Sequence, residues 1–199
     1  GVLTQGALDL LARSGVAQLG AEELGRRLLI ETPTVKVILV RPADVPAYVD
    51  HGAADLGVVG KDILWESPGS HYELVDLRFG GCRLVLAVPA ASQLDGPDTW
   101  PPLMRVATKY PRTAMSWFEG RGQAVELVRL HGSVELAPQV GLVDGIVDLT
   151  ATGRTLSENR LRIAAVLGES TARLIANQAS MKTRTAAVQS VVAKLREAI

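Results

Sequence analysis

The sequence predicts an α/β protein built from two lobes. Three observations carry this: short β-branched runs alternate with helical patterns, composition shifts abruptly from Ala90 to Pro102, and 199 residues suffice for two small lobes. The alternation also predicts substantial parallel pairing, because a helix between two strands returns the chain to start the next strand in the same direction. Periodicity fixes the class; it does not by itself fix a two-lobe topology.

Leu3, Ala7, Leu10 and Leu11 recur at helical spacing, and Gly15 follows, so a first helix should end there. A polar stretch of no clear periodicity comes next. Val35 to Val40 is short, β-branched and almost wholly apolar, the pattern of a strand covered on both faces and central in a sheet. Asp44 is placed to cap a helix that has Pro46 in its first turn and Gly52 at its end. Asp55 to Val59 reads as a second buried strand, the Gly60-Lys61-Asp62 turn opens a short helix, and Tyr72 to Leu77 and Cys82 to Val88 read as further strands.

The segment from Ala90 to Pro102, rich in Ser, Gly and Asp with three prolines, predicts an exposed loop at a lobe crossover. Beyond it, Arg105 to Thr108, Ala124 to Leu130 and Ile146 to Leu149 read as strands, with a helix carrying Trp117 and Phe118 after the first of them. Arg162 to Leu167 and Ala172 to Ala176 follow as strands. Val188, Val191, Val192, Leu195 and Ile199 then fall on one face of a closing helix.

Lys plus Arg equals Asp plus Glu at 21 each, which leaves no broad field to attract nucleic acid. A single cysteine, Cys82, allows no internal disulfide; with no bilayer-spanning apolar run and no secretory pattern, a cytoplasmic protein without membrane attachment is expected. Cys82 lies in an apolar strand and reads as a small core residue. His51 and His71 read as surface histidines, and no His, Cys and carboxylate cluster has metal-site spacing. There is no G-x-x-x-x-G-K-[ST] loop and no complete G-x-G-x-x-G, so neither γ-phosphate transfer nor dinucleotide binding is indicated.

The segment that carries chemistry is Asp144-Gly145-Ile146-Val147-Asp148-Leu149-Thr150-Ala151-Thr152-Gly153-Arg154-Thr155-Leu156. An apolar strand delivers Asp148 to its carboxyl end, and a turn of small hydroxyls and backbone donors then leads into a helix. Such amides suit one phosphate, and an ionised acid just upstream accepts hydrogen bonds from two neighbouring ribose hydroxyls. An ordinary strand-to-helix turn capped by threonine would share the T-G-x-T pattern; the acidic strand before it is what favours sugar-phosphate recognition.

The sequence resembles the ATP phosphoribosyltransferase family in six ordered blocks. They are Arg41-Pro42-Ala43-Asp44-Val45-Pro46, Gly52-Ala53-Ala54-Asp55-Leu56-Gly57-Val58-Val59-Gly60-Lys61-Asp62, Gly80-Gly81-Cys82-Arg83, Ala107-Thr108-Lys109-Tyr110-Pro111, Gly132-Ser133-Val134-Glu135-Leu136-Ala137-Pro138, and the Asp144 to Leu156 segment. The resemblance implies two lobes of the type II periplasmic-binding-protein kind, with mixed sheets flanked by helices and a cleft between the lobes. Lobe I is expected to be residues 1–87 and 164–199, and lobe II residues 88–163.

The implied reaction is attack by an adenine ring nitrogen of ATP on phosphoribosyl pyrophosphate, with Mg²⁺ bound mainly through the substrate's pyrophosphate. Asp144, Asp148, Thr150, Ala151, Thr152, Gly153, Arg154 and Thr155 are expected to bind the phosphoribosyl group. Arg41, Lys61, Arg83, Lys109 and Glu135 are candidates for contacts with ATP or pyrophosphate, although Glu135 also reads as a residue at a helix start, and Arg41 and Asp44 as an ion pair. No residue is assigned as a general base. The resemblance is to the short form, which implies a regulatory subunit similar to histidyl-tRNA synthetase and a hetero-oligomer built on catalytic dimers. Two departures stand out: the family's opening strand and Lys-Gly-Arg turn are not recognisable in the sequence before Val2, and His131 stands where the family commonly has Asn.

Overall fold

A computed structural model describes residues 2–19 and 27–199. Part of the polar stretch after the first helix, residues 20–26, lies outside the described residues. Contacts divide the chain into two units, Gly1–Gly80 with Thr171–Ile199, and Gly81–Ser170. These boundaries replace the expected ones after residues 87 and 163, which would cut through two long strands that pair with each other. Among the described residues no helix is long and apolar enough to cross a membrane.

In the first unit, α1 (Val2–Arg13) ends as expected at Gly15, whose φ of +66° suits a residue without a side chain. A hairpin of β1 (Leu29–Glu31) and β2 (Lys36–Ile38) follows. β2 is thus one of two strands and not a central one. Its middle is only half-buried, and Val35 just before it packs into the core from outside any sheet. A run of apolar residues reports burial, and packing beside a sheet meets that requirement as well as pairing within it.

A 3₁₀ turn at Pro42–Asp44 leads into α2 (Val45–Asp50). Arg41 and Asp44 are joined by the Asp44 amide donating to the Arg41 carbonyl at 2.9 Å, and not by the expected ion pair. Next come β3 (Leu56–Gly60), α3 (Lys61–Glu66) and β4 (Tyr72–Asp76). β10 (Ala172–Ala176) lies between β3 and β4, antiparallel to both. Helices α6 (Gln178–Thr183) and α7 (Thr185–Glu197) close the unit. Leu10, Leu77, Leu174, Val188 and Leu195 share one buried cluster, so the chain's two ends pack on the same sheet. His71 is no surface histidine: its side chain is 7% exposed and Nδ1 lies 2.8 Å from Asp50 Oδ1.

The second unit is a five-stranded mixed sheet in the order β7-β6-β8-β5-β9. Its strands are β5 (Cys82–Pro89), β6 (Leu103–Thr108), β7 (Ala124–Arg129), β8 (Gly145–Thr150) and β9 (Leu161–Ser170). β6 runs parallel to β7 and β8, whereas β5 is antiparallel to β8 and β9. Of the seven strand pairs among the described residues only these two are parallel, fewer than the alternation predicts. Cys82 starts β5 and is half-buried. α4 (Pro111–Glu119) carries Trp117 and Phe118, whose ring centroids lie 5.0 Å apart in an edge-to-face contact. α5 (Arg154–Glu158) follows β8 directly and buries Leu156 in a cluster with Val85, Ala107 and Ile146.

Candidate active site

β8 occupies the middle of its sheet, and Ile146, Asp148 and Thr150 alternate onto the face that opens into a cavity of about 290 Å³. That volume is at the lower end for small-ligand sites. Lys109, Ser133, Glu135 and the Thr150 to Thr155 turn complete the wall. Lys109 follows the last residue of β6, the parallel neighbour of β8, and its ammonium lies 3.8 Å from Asp148 Oδ2. Glu135 lies in the 3₁₀ turn Val134–Leu136, a shorter element than the helix expected there. Ser133, at φ 49° and ψ 39°, turns the chain into it.

The turn after β8 is held by its own hydroxyls. Thr150 Oγ1 accepts the Gly153 amide at 2.8 Å, and Thr152 Oγ1 accepts the Arg154 amide at 3.4 Å. Gly153 sits at φ 80°, ψ −2°, a left-handed conformation that an L side chain rarely adopts. The first amides of a helix lack intrahelical acceptors; with those of Gly153 and Arg154 taken by the threonine hydroxyls, the next ones in α5 are the donors left beside the cavity. The Arg154 side chain is largely exposed and pairs with Glu158 at 2.7 Å.

Burial pushes the Asp148 carboxyl above its ordinary value, and Glu135 adds to this; the Leu149 amide, donating to Oδ1 at 2.9 Å, and Lys109 act the other way. Asp144 behaves in the opposite sense. Partial burial works against its charge, but hydrogen bonds from the Arg105 guanidinium and amide prevail and hold it below the ordinary carboxylate value.

The structure therefore brings together Lys109, Glu135, Asp148, Thr150, Ala151, Thr152, Arg154 and Thr155, with Gly153 shaping the turn. It does not bring Asp144 there: Asp144 precedes β8, and four residues of extended chain put it about 13 Å from Asp148. Arg83 lies on β5 opposite Thr150 and is not on the cavity wall. Arg41 and Lys61 belong to the other unit, where Lys61 pairs with Glu73. Ser133, Ile146, Leu149 and Leu156 line the cavity without having been singled out. Of these, Ser133 had a signal, its place two residues before Glu135 in a glycine-led block.

Asp148 and Glu135 are the two carboxylates at the cavity, and no group of three or more His, Cys, Asp or Glu among the described residues is arranged for a metal ion. That donor set suits a hard cation that arrives with phosphate oxygens as most of its ligands.

The family model described as ATP phosphoribosyltransferase matches residues 41–197. An ATP phosphoribosyltransferase of Caldanaerobacter subterraneus subsp. tengcongensis is 46% identical, with 100% of this chain and 94% of the relative covered. One from Rubrobacter xylanophilus is 48% identical over 98% of this chain and 91% of the relative. A chain of the ATP phosphoribosyl transferase (HisG:HisZ) complex from Thermotoga maritima superposes with a TM-score of 0.84 at 35% identity, covering 100% of this chain and 94% of that one. The periplasmic VFT2 domain of Bordetella pertussis BvgS shares the fold, with a TM-score of 0.63 at 16% identity, covering 99% of this chain and 77% of that one. With the family model spanning most of the chain and relatives this similar along nearly their whole length, the protein belongs to the ATP phosphoribosyltransferases, pentosyltransferases that catalyse the first step of histidine biosynthesis.

Proposed function

We propose that the cavity at the end of β8 is where this ATP phosphoribosyltransferase holds its phosphoribosyl donor. The observation that carries the reading is that Asp148, Lys109 and the Thr150 to Thr155 turn line one cavity of suitable size. In this reading the turn's amides and hydroxyls hold the 5-phosphate, and the Asp148 carboxylate accepts hydrogen bonds from the ribose hydroxyls. Lys109 supplies a cation beside both groups. Attack by the adenine ring on the anomeric carbon builds positive charge on the ribose and negative charge on the departing pyrophosphate. An anion under the sugar and cations near the pyrophosphate stabilise both.

Asp148 and Glu135 are the carboxylates that would meet an Mg²⁺ ion carried by the pyrophosphate, which would neutralise part of that group's charge. Arg41, Lys61 and Arg83 are proposed to serve ATP or pyrophosphate in the working enzyme, and the chain is proposed to act in the cytoplasm. It is further proposed to assemble with a regulatory subunit similar to histidyl-tRNA synthetase. The support for this is its similarity to a chain of the HisG:HisZ complex.

Calorimetric titration with phosphoribosyl pyrophosphate and Mg²⁺ tests the site without needing that partner. The unmodified chain should bind, and Asp148→Asn should bind at least about tenfold more weakly, the loss expected for a charge-assisted contact. Equal affinity in the two proteins would move the phosphoribosyl group elsewhere.

A further inference from the structure

We propose that Thr108 is a positioning residue for the phosphoribosyl site, holding Lys109 against Asp148 through one buried hydroxyl. Thr108 ends β6 and is fully buried. Its Oγ1 donates to the Val147 carbonyl at 2.7 Å and accepts the Tyr110 amide at 2.9 Å. Val147 immediately precedes Asp148, and Tyr110 immediately follows Lys109. The hydroxyl therefore fixes the segments that carry the two charged groups 3.8 Å apart. The Thr108 carbonyl also accepts the Leu130 amide at 3.1 Å, tying in the end of β7, from which the chain continues to Ser133 and Glu135.

Packing alone does not account for this residue. Val106 and Ala107 before it are apolar and fully buried, and valine would fill the same volume as threonine. A fully buried hydroxyl is tolerated only when its hydrogen-bonding capacity is met. Here both its donor and an acceptor lone pair are used, each on a backbone group adjoining a cavity residue. The hydroxyl-to-amide bond from residue 108 to residue 110 closes a short turn of which Lys109 is the middle residue, so the stem of Lys109 starts from a fixed backbone.

The inference rests on reading Lys109 and Asp148 as part of the phosphoribosyl site. The test is titration of phosphoribosyl pyrophosphate with Mg²⁺ into Thr108→Val, Thr108→Ser, Lys109→Met and the Thr108→Val/Lys109→Met double variant. Thr108→Val should bind about tenfold or more weakly, since small misplacements of a binding group are costly, while Thr108→Ser should stay within about threefold of the unmodified chain. In the Lys109→Met background Thr108→Val should cost little more, because the group it positions is gone.

A Thr108→Val variant that binds normally while Asp148→Asn and Lys109→Met bind weakly overturns this inference alone. Full additivity of the two losses does the same, since it marks a general structural role. Normal binding by both Asp148→Asn and Lys109→Met overturns the site reading and this inference together. Should Thr108→Val fail to fold, hydrogen exchange on the unmodified chain and Thr108→Ser decides: the Tyr110 amide must be protected in both, and exchange at the rate of a free amide overturns the proposal.

Discussion

Lys109 Nζ lies 3.8 Å from Asp148 Oδ2, a cation and a carboxylate set at adjoining ends of the parallel neighbours β6 and β8. The cation does not fully offset what burial does to the acid, whose carboxyl titrates above its ordinary value of 3.8. Between that value and the raised one, the folded state binds more protons than the unfolded state. Stability then falls as pH rises through the window, and the loss persists above it.

Asp148→Asn should therefore stabilise the folded chain at neutral pH while weakening phosphoribosyl pyrophosphate binding. Asparagine does not ionise and still offers an oxygen to the Leu149 amide. Thermal midpoints of both proteins, measured from pH 3 to pH 8, should diverge in favour of asparagine as pH rises. Parallel curves would mean that burial of the charge costs nothing.

Asp144 provides the contrast. Its carboxyl is held low by Arg105, so its contribution to stability is present above the ordinary carboxylate value and is lost as pH falls through the lowered one. Because the pair is partly exposed, Asp144→Asn should cost only about 0.2–1 kcal/mol in chemical denaturation at pH 7. It should leave phosphoribosyl pyrophosphate affinity unchanged; a marked loss of affinity would return Asp144 to the site.

The difference between these two aspartates shows where sequence reasoning stops. Both sit at even positions in one block, so alternation groups them; the strand begins only at Gly145, which leaves Asp144 before it and bonded to Arg105 while Asp148 lies within it. The same reasoning placed β10 correctly at both ends, because its run, apolar but for Arg173, is bounded by Thr171 and Asn177. It misplaced β2, where burial comes from packing beside a sheet. Fewer pairs are parallel than alternation suggests because β10 returns between β3 and β4 antiparallel to both, and β5 meets β8 and β9 antiparallel. Sequence reasoning missed the pairing of His71 because the partner, Asp50, is 21 residues away.

Gly57 lies in the glycine-bounded block of the first unit, and its reason is spatial. A Cβ there would stand 2.8 Å from both Val45 Cγ1 and Val49 Cγ2, and 3.3 Å from Ile175 Cγ1. α2 thus packs on β3 at a distance only glycine allows. Gly57→Ala should destabilise the chain by about 1–3 kcal/mol, the usual cost of overpacking a filled core. Urea denaturation measures it, and an unchanged midpoint would show that α2 can shift outward freely.

Gly153 is constrained differently. Apart from Gly153 itself and its two chain neighbours, no heavy atom lies within 4 Å of the place a Cβ would occupy, so a substitution meets backbone strain alone, at φ +80°. Alanine should cost about 1–2 kcal/mol there and a β-branched side chain more, whereas asparagine tolerates the left-handed region better. The strain has one easy release, which is to rotate the Thr150 to Thr155 turn out of the shape in which Thr150 Oγ1 accepts the Gly153 amide. That rotation moves the donors proposed to hold the 5-phosphate. Affinity for phosphoribosyl pyrophosphate should accordingly fall in the order Gly153, Gly153→Asn, Gly153→Ala, Gly153→Val, and calorimetry on the four proteins reads it directly. If Gly153→Val binds as tightly as the unmodified chain, the shape of this turn has no part in holding the phosphate.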